Sequence, residues 1–367
     1  MAPDVFVHLI EPAAWRAAVT DGAVRPPSLE SVGFVHLSTP EQVHLPAERL
    51  YPGRRDLLLL VVDPARLADP VRFEDGVPAD PGGMQFPHLY GPLPTSAVIA
   101  VVPYRPPVPF SLPAPHDLLA RALSFDTGLP VRRAAGVGDV RGGVVVLDPE
   151  FVHSKDNNRA LFTAPVDADT VESVTEEVGG NAGWPHRAAG LLWPGADDVA
   201  AELRGRGWHT QGLVLMGRPA ARTDGRDRVE EVHEQEVHGF WAGSWRRDLP
   251  DRPDQEQVIA DLIDRERLNH AVVAVTNMVV REEGRVVASG QLRVDGATAA
   301  VDSVLTHPAA RGRGYADAIL ARALDVAARA GCDLVVLEAA ADDWPRRWYA
   351  RRGFTELGTV WAVDRRP

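Results

Sequence analysis

Residues Val304 to Ala316, VLTHPAARGRGYA, pass from an apolar β-type run through a proline turn into Arg311-Gly312-Arg313-Gly314-Tyr315-Ala316 at the head of an amphipathic segment. Glycine permits dihedrals that turn successive backbone N–H groups toward one anion, and a helix N-terminus adds about half a positive charge there. That combination suits a pyrophosphate. A dinucleotide-binding GxGxxG would need glycine at Asp317, and a Walker loop would need Gly-Lys-Ser/Thr; neither is present. Arg133-Ala134-Ala135-Gly136-Val137-Gly138 repeats the spacing without the context. No long strand precedes it, and Gly142-Gly143 and the run Val144 to Leu147 follow it in place of a helix.

Downstream lie a strand-like run, Asp333 to Glu338, then Asp342, then Trp348-Tyr349-Ala350-Arg351-Arg352-Gly353-Phe354. The loop pattern Arg-x-x-Gly-x-Gly/Ala and this ending, in this order, resemble the GNAT superfamily of N-acetyltransferases. The resemblance implies that the backbone of Arg311, Gly312, Arg313, Gly314, Tyr315 and Ala316 holds the pyrophosphate of coenzyme A. Asp342 stands where the family often has asparagine. It also implies that an amide at Val304 or Leu305 polarises the thioester carbonyl and that Tyr349 protonates the leaving thiolate, a tyrosine that only packs being the alternative. Asp302 or Glu338 would be the general base, directly or through water, with Asp302 preferred. Strand alternation places Asp302 opposite Ser303, so at most one of them should face the site. The acceptor site is expected within Val229 to Asn269, where Glu234 and Trp241 stand among acidic and aromatic residues suited to a cationic amine. A solvated acidic helix face over a tryptophan core is the alternative there.

The elements that would position these groups follow from hydrophobic period and turn residues. Ala271 to Val280, Arg285 to Val294 and Ala299 to Thr306 read as strands. Ile319, Leu320, Ala323, Leu324 and Ala327 give a helix stopped by Gly331, and strand 333–338, helix 344–352 and strand 354–363 follow. The order is βββαβαβ, a mixed-sheet GNAT fold of α+β or α/β class, assigned to residues 225–367. Two breaks precede it, the proline-rich Val102 to His116 and the polar Arg218 to Arg228. Between them, residues 116–217 resemble a degenerate GNAT-like half without a pyrophosphate loop, which would pack against or shape the substrate site. Its Ser154-Lys155-Asp156-Asn157-Asn158 reads as a turn.

Residues 1–107 carry Val7-His8-Leu9, Gly33-Phe34-Val35-His36-Leu37-Ser38-Thr39, a buried strand Leu57 to Val62, Phe73-Glu74-Asp75 and Phe86-Pro87-His88-Leu89-Tyr90-Gly91. These resemble the uncharacterised family numbered 952 among the domains of unknown function, an α+β domain with a suspected ADP-ribosyltransferase-like fold. On that resemblance His8, His36, Ser38, Glu74, His88 and Tyr90 would line a pocket, His36 and Ser38 sharing one strand face, with NAD as its ligand. Scattered structural histidines are the alternative. No HExxH or equivalent spacing supports a metal.

The formal charge of −12 across 367 residues argues against nucleic acid as a partner. No apolar run approaches the length of a membrane span. The single cysteine, Cys332, precludes an intramolecular disulfide, fits a reducing cytoplasmic setting and reads as a packing residue. The sequence points to an acetyl-CoA-dependent N-acetyltransferase acting on a small-molecule or peptide amine. An NAD-processing enzyme centred on the N-terminal domain and a non-catalytic coenzyme A-binding regulator are the alternatives. Oligomeric state is not legible.

Overall fold

The computed structural model describes residues 4–76, 82–222, 228–249 and 253–366. The first segment contains β1 (Phe6–Ile10), α1 (Pro12–Asp21), β2 (Ala23–Val24), α2 (Pro27–Ser31), β3 (Val35–His36), α3 (His44–Leu50), β4 (Leu57–Val62), β5 (Val71–Asp75), β6 (Gln85–Leu89), β7 (Leu93–Pro94) and β8 (Val98–Tyr104). These strands make two antiparallel three-stranded sheets, β1-β4-β8 and β3-β6-β5, and a short β2-β7 ribbon. Leu57–Val62 is the central strand of the first, with every residue buried. The proline-rich break begins later than its composition suggests. β8 continues through Pro103 to Tyr104, which an edge strand tolerates because one side of its backbone needs no partner.

The second segment contains α4 (Leu118–Arg133), β9 (Gly136–Val140), β10 (Gly143–Leu147), β11 (Arg159–Phe162), α5 (Ala168–Asn181), β12 (Arg187–Leu191), α6 (Asp197–Gly205) and β13 (His209–Pro219). The third contains β14 (Glu230–Val232), α7 (Gln235–Asp248), α8 (Gln255–Asp264), α9 (Arg267–His270), β15 (Ala274–Glu282), β16 (Arg285–Asp295), β17 (Thr298–Thr306), α10 (Tyr315–Arg329), β18 (Leu334–Ala340), α11 (Trp344–Ala350) and β19 (Thr355–Arg365). From β9 to β13 and from β15 to β19 the order is the same, βββαβαβ. Of the second break, Arg218 and Pro219 belong to β13, and residues 223–227 lie outside the described residues.

Both halves build one eleven-stranded mixed sheet, ordered β14-β15-β16-β17-β18-β13-β19-β12-β11-β10-β9. The last strand of each half is exchanged: β13 pairs with β18 of the third segment, and β19 pairs with β12 of the second. In each half one parallel pair spans three residues, Thr298–Ala300 with 334–336 and Ala160–Phe162 with 189–191. Past Ala300 and Val336 no further β17–β18 pairs form, and the strands part.

α10 packs on β15, β16 and β17 through Ile319, Leu320, Ala323, Leu324 and Ala327, each 3% exposed or less. Burying each of the larger three is worth about 1.5–3 kcal/mol, which fixes the start of this helix at the glycine loop. Close seating requires Gly290, where an added Cβ would lie 2.3 Å from Ile319 Cγ2. The first segment is anchored to the third by Trp15, whose indole N–H donates to Asp295 Oδ1 at 2.8 Å, and by Arg66, which pairs with Asp333; Arg121 of the second segment pairs with the same carboxylate. Arg132 pairs with Asp295, both side chains being under 7% exposed.

Candidate active site

A β-bulge shapes the parting strands. Ser289 pairs with Leu305 and Gln291 with Asp302, so Ser303 and Val304 together face only Gly290, and Ser303 has φ 53. The bulge interrupts alternation, and Asp302 and Ser303 line the same cavity. The expectation that at most one of them faces the site is corrected on that ground.

Beyond the bulge, a cleft of about 690 Å³ is lined by Val304, Leu305, Arg311, Gly312, Gly314, Tyr315, Ala316 and, from α11, Trp348 and Tyr349. Gly312 and Gly314 have φ of 76 and 80, a region open to glycine at little cost, and the space beside their Cα atoms is free. No side chain caps α10, so its first-turn N–H groups are left for an anion. Arg247 and Arg311 add positive charge to the lining. Uncapped amides, open glycines and cations together fit the pyrophosphate of coenzyme A. The corresponding helix of the second half, α5, begins with Asp167, whose side chain accepts from Thr170 N at 2.9 Å. Its N-terminus is satisfied internally, consistent with the missing glycine loop.

Two of the expected residues do not line this cleft. Arg313 is absent from the lining; it pairs with Glu282 at 2.7 Å, and Glu282 also receives the Tyr315 hydroxyl. Asp342 is exposed in a turn and lines no part of the cleft. Its neighbour Asp343 does, and caps α11 by accepting from Trp344 N at 2.7 Å.

On the far side of Tyr349 a second cavity, about 430 Å³, lies over the parting of β17 and β18. Tyr349, Asp302, Ser303 and Glu338 line it, as do Trp245, Arg265, Glu266 and Arg293 of the third segment and Asp126, Arg133, Asp156 and Arg159 of the second. A narrow space along Trp241, Trp245 and Leu305 lies between it and the first cleft. Arg293 Nη2 is 2.8 Å from Asp302 and 3.0 Å from Glu266, and its Nε donates to Gln291 Oε1 at 2.6 Å. Asp302 therefore has a close cationic partner. Its Oδ1 also accepts from Ser303 N at 2.6 Å.

Glu338 has a different environment. Its side chain is exposed at the cavity, which Asp126 lines as well. Burial, then the Asp126 charge, push the Glu338 carboxyl well above the ordinary carboxylate range, and burial raises Asp126 too. Tyr349 is also raised, by burial and by Asp302, so its hydroxyl keeps its proton at neutral pH.

The two expected acceptor residues separate. Trp241 is buried against the connecting space. Glu234 lines none of the three spaces, because it is held 3.0 Å from His238 Nε2 and 2.7 Å from His270 Nε2. Sequence reading missed Asp126, Arg133, Arg159, Arg265 and Arg293. Asp156 does sit in a turn, as expected, and that turn forms part of the cavity wall. Only the pairing of the two halves could have disclosed these residues.

In the first segment His8, His36 and Ser38 line a cleft of about 560 Å³, while Glu74, His88 and Tyr90 form a separate group beside it. The strand expected to carry His36 and Ser38 ends at His36; Ser38 instead bridges Val7 through the backbone, with both N–H to O distances 2.9 Å. His88 Nδ1 lies 2.7 Å from Glu74 Oε2, and the Tyr90 hydroxyl donates to Glu74 Oε1 at 2.8 Å. These bonds hold the Glu74 carboxyl below its ordinary range. The His88 ring stacks on Phe34 at 4.0 Å and meets His36 edge-on. Among the described residues no group of three or more His, Cys, Asp or Glu could hold a metal ion, and no helix is long and apolar enough to cross a membrane.

Comparison with known proteins assigns the two ends of the chain. Residues 9–101 match the family described as "Protein of unknown function (DUF952)", and residues 235–354 match the "Acetyltransferase (GNAT) family". The third segment is a GNAT-family domain. A curated Oryza sativa subsp. japonica protein, "Probable glucosamine 6-phosphate N-acetyltransferase 2", is 32% identical over 99 residues, 25% of this chain. The chain spans 58% of that relative's length. A conserved Staphylococcus epidermidis protein of unknown function shares the fold with a TM-score of 0.50 at 13% identity, over 62% of this chain and 92% of its own. Residues 225–367 alone cannot supply that coverage, so the likeness extends outside the third segment. A GCN5-related N-acetyltransferase from Kribbella flavida covers 68% of this chain and 96% of its own, at 20% identity and a TM-score of 0.49. These comparisons lend no support to an ADP-ribosyltransferase-like fold or to NAD as a ligand of the first segment.

Proposed function

We propose that the chain is an N-acetyltransferase that moves an acetyl group from acetyl-CoA to an amine. Residues 1–107, 116–217 and 225–367 serve as its three modules, the second and third as one catalytic unit in a reducing, cytoplasmic setting. The observation that carries this reading is the place of Tyr349, which lines both the glycine-loop cleft and the charged cavity. Acetyl-CoA supplies the acetyl group as an activated thioester. The amides of 311–316 hold its pyrophosphate, and the freed backbone at Ser303–Leu305 directs an N–H to the carbonyl oxygen.

An amine reaches the cavity as an ammonium and must lose a proton before it attacks. Glu338 in its ionised form accepts that proton, its basicity raised by burial and by the Asp126 charge. Asp302, held by Arg293, supports the cavity's charge balance. The Tyr349 hydroxyl gives its proton to the departing sulfur as the C–S bond breaks and the C–N bond forms, and the remaining surplus proton on the acylated nitrogen passes to the Tyr349 oxygen and restores the phenol. Release of coenzyme A thiol from acetyl-CoA, followed across a panel of amines, tests the reading; a protein that binds acetyl-CoA yet acetylates none of them would be the non-catalytic regulator instead. Heating the protein with NAD in place of acetyl-CoA provides the control for the first segment.

A further inference from the structure

The cavity beyond Tyr349 sets four arginines against five carboxyl groups, and the pairing among them is uneven. Arg265 has Asp156 at 2.8 Å, and Arg293 has Asp302 at 2.8 Å and Glu266 at 3.0 Å. Arg133 and Arg159 are less well matched. Among the described residues Arg133 has no carboxylate within ion-pair distance; its Nη1 donates to the neutral Asn269 Oδ1 at 2.7 Å. Arg159 reaches Asp156 only at 3.7 Å. The Nε atoms of both guanidinium groups are buried and have no hydrogen-bond partner. A buried donor without an acceptor costs free energy, and neighbouring cations add repulsion. Desolvation, then repulsion from Arg293 and Arg265, lower the Arg133 pKa to about 10.

Each of these groups lines the cavity that holds Glu338. An amine directed at the Asp126–Glu338 pair would therefore have two under-satisfied guanidinium groups within the same enclosed space. Both come from the second segment, Arg133 from the end of α4 and Arg159 from the start of β11.

Resting on the acetyltransferase reading, we propose that the acceptor is a small amine that also bears a carboxylate or phosphate, and that Arg133 and Arg159 bind this anion. The half without a coenzyme loop then selects the substrate for the half that has one. A guanidinium fork matches either anion in two-point geometry, so the shared chemistry is a compact oxyanion on a primary amine.

The test uses the full chain and three acceptors matched in length: ethanolamine, β-alanine and 2-aminoethyl phosphate. Turnover with acetyl-CoA should favour one or both anionic amines by at least about tenfold in kcat/KM, and whichever leads identifies the anion. Arg133→Gln and Arg159→Gln should each raise KM for the anionic amine at least about tenfold more than they raise it for ethanolamine. Arg133→Lys should recover part of the loss, and thermal melting checks that each variant folds.

Calorimetric binding of the same three compounds separates the two readings. Anionic amines that bind wild type but not Arg133→Gln, without turnover, leave the anion site standing and remove the transferase. Turnover with no preference for the anion, or a loss shared equally by ethanolamine, overturns the anion site and leaves the transferase. Failure of both anionic amines to bind and to react also overturns it.

Discussion

Asp126, on the helix that opens the second half, lines one cavity with Glu338, on the strand that parts from its neighbour in the third, and its charge raises the Glu338 carboxyl. The titration of this carboxyl is therefore a property of two halves.

A carboxyl whose pKa is raised by folding binds its proton more tightly in the native state. Its contribution to stability is full below the unfolded value and is lost as pH rises through the folded value. Asp126→Asn removes the like charge. Urea melts of wild type and D126N from about pH 4 to about pH 8 should show the variant gaining relative stability as pH rises. The acidic limb of kcat/KM should also move down in the variant. Parallel stability curves and an unmoved limb would show that the pair is not coupled.

Gly314→Val places a β-branched residue at φ 80, at a strain of about 1–3 kcal/mol, and disturbs the amides at the start of α10. Acetyl-CoA at one hundred times its Kd should stabilise wild type by about 2.7 kcal/mol. The variant should lose most of that gain. An equal gain in both proteins would place the coenzyme elsewhere.

Tyr349→Phe keeps the ring contacts with Trp348 and Phe354, at 4.8 and 5.6 Å between centroids, and removes only the hydroxyl. Steady-state assays should show kcat lower by about 10²-fold with KM for acetyl-CoA nearly unchanged. An unchanged kcat would assign sulfur protonation to another group.

Asp295→Ala strips the acceptor from Trp15 and leaves Arg132 buried without its carboxylate. Denaturant titration should report a loss of about 3–5 kcal/mol. A loss below about 1 kcal/mol would mean that the first segment is not held through this contact.

Cys332 is buried, and burial pushes its thiol up to about 12. A thiol reagent at about pH 8 should label it only after unfolding, because the thiolate is the reactive form. The Cys332 thiol lies 3.5 Å from the Gly296 carbonyl oxygen, and rapid labelling of the native protein would show that this contact opens in the folded state.

The third segment was legible because its signals are local. The 3.6-residue period of Ile319 to Ala327, the glycines at 312 and 314 and the stop at Gly331 each act within a few residues of themselves. Glu338 could be named from the end of its strand. Its partner Asp126 could not, since nothing near residue 126 in the sequence says which strand passes beneath it. The Asp302–Ser303 misreading has a similar source: the bulge depends on Gly290 of the adjacent strand, outside the alternation of β17 itself. Glu234 looked like an acceptor contact by composition, and only the packing of α9 shows that His270 occupies it.

β19 is made after every other strand of the large sheet and takes a place in its middle, between β13 and β12. A nascent chain that has emerged through residue 340 consequently presents two bare backbone edges facing one another, which invite pairing with any passing strand. Assembly of the sheet waits on α11 and β19, and pairing across so long a stretch of chain is slow. Until β19 is in place, those two edges are where the sheet is most open to mispairing.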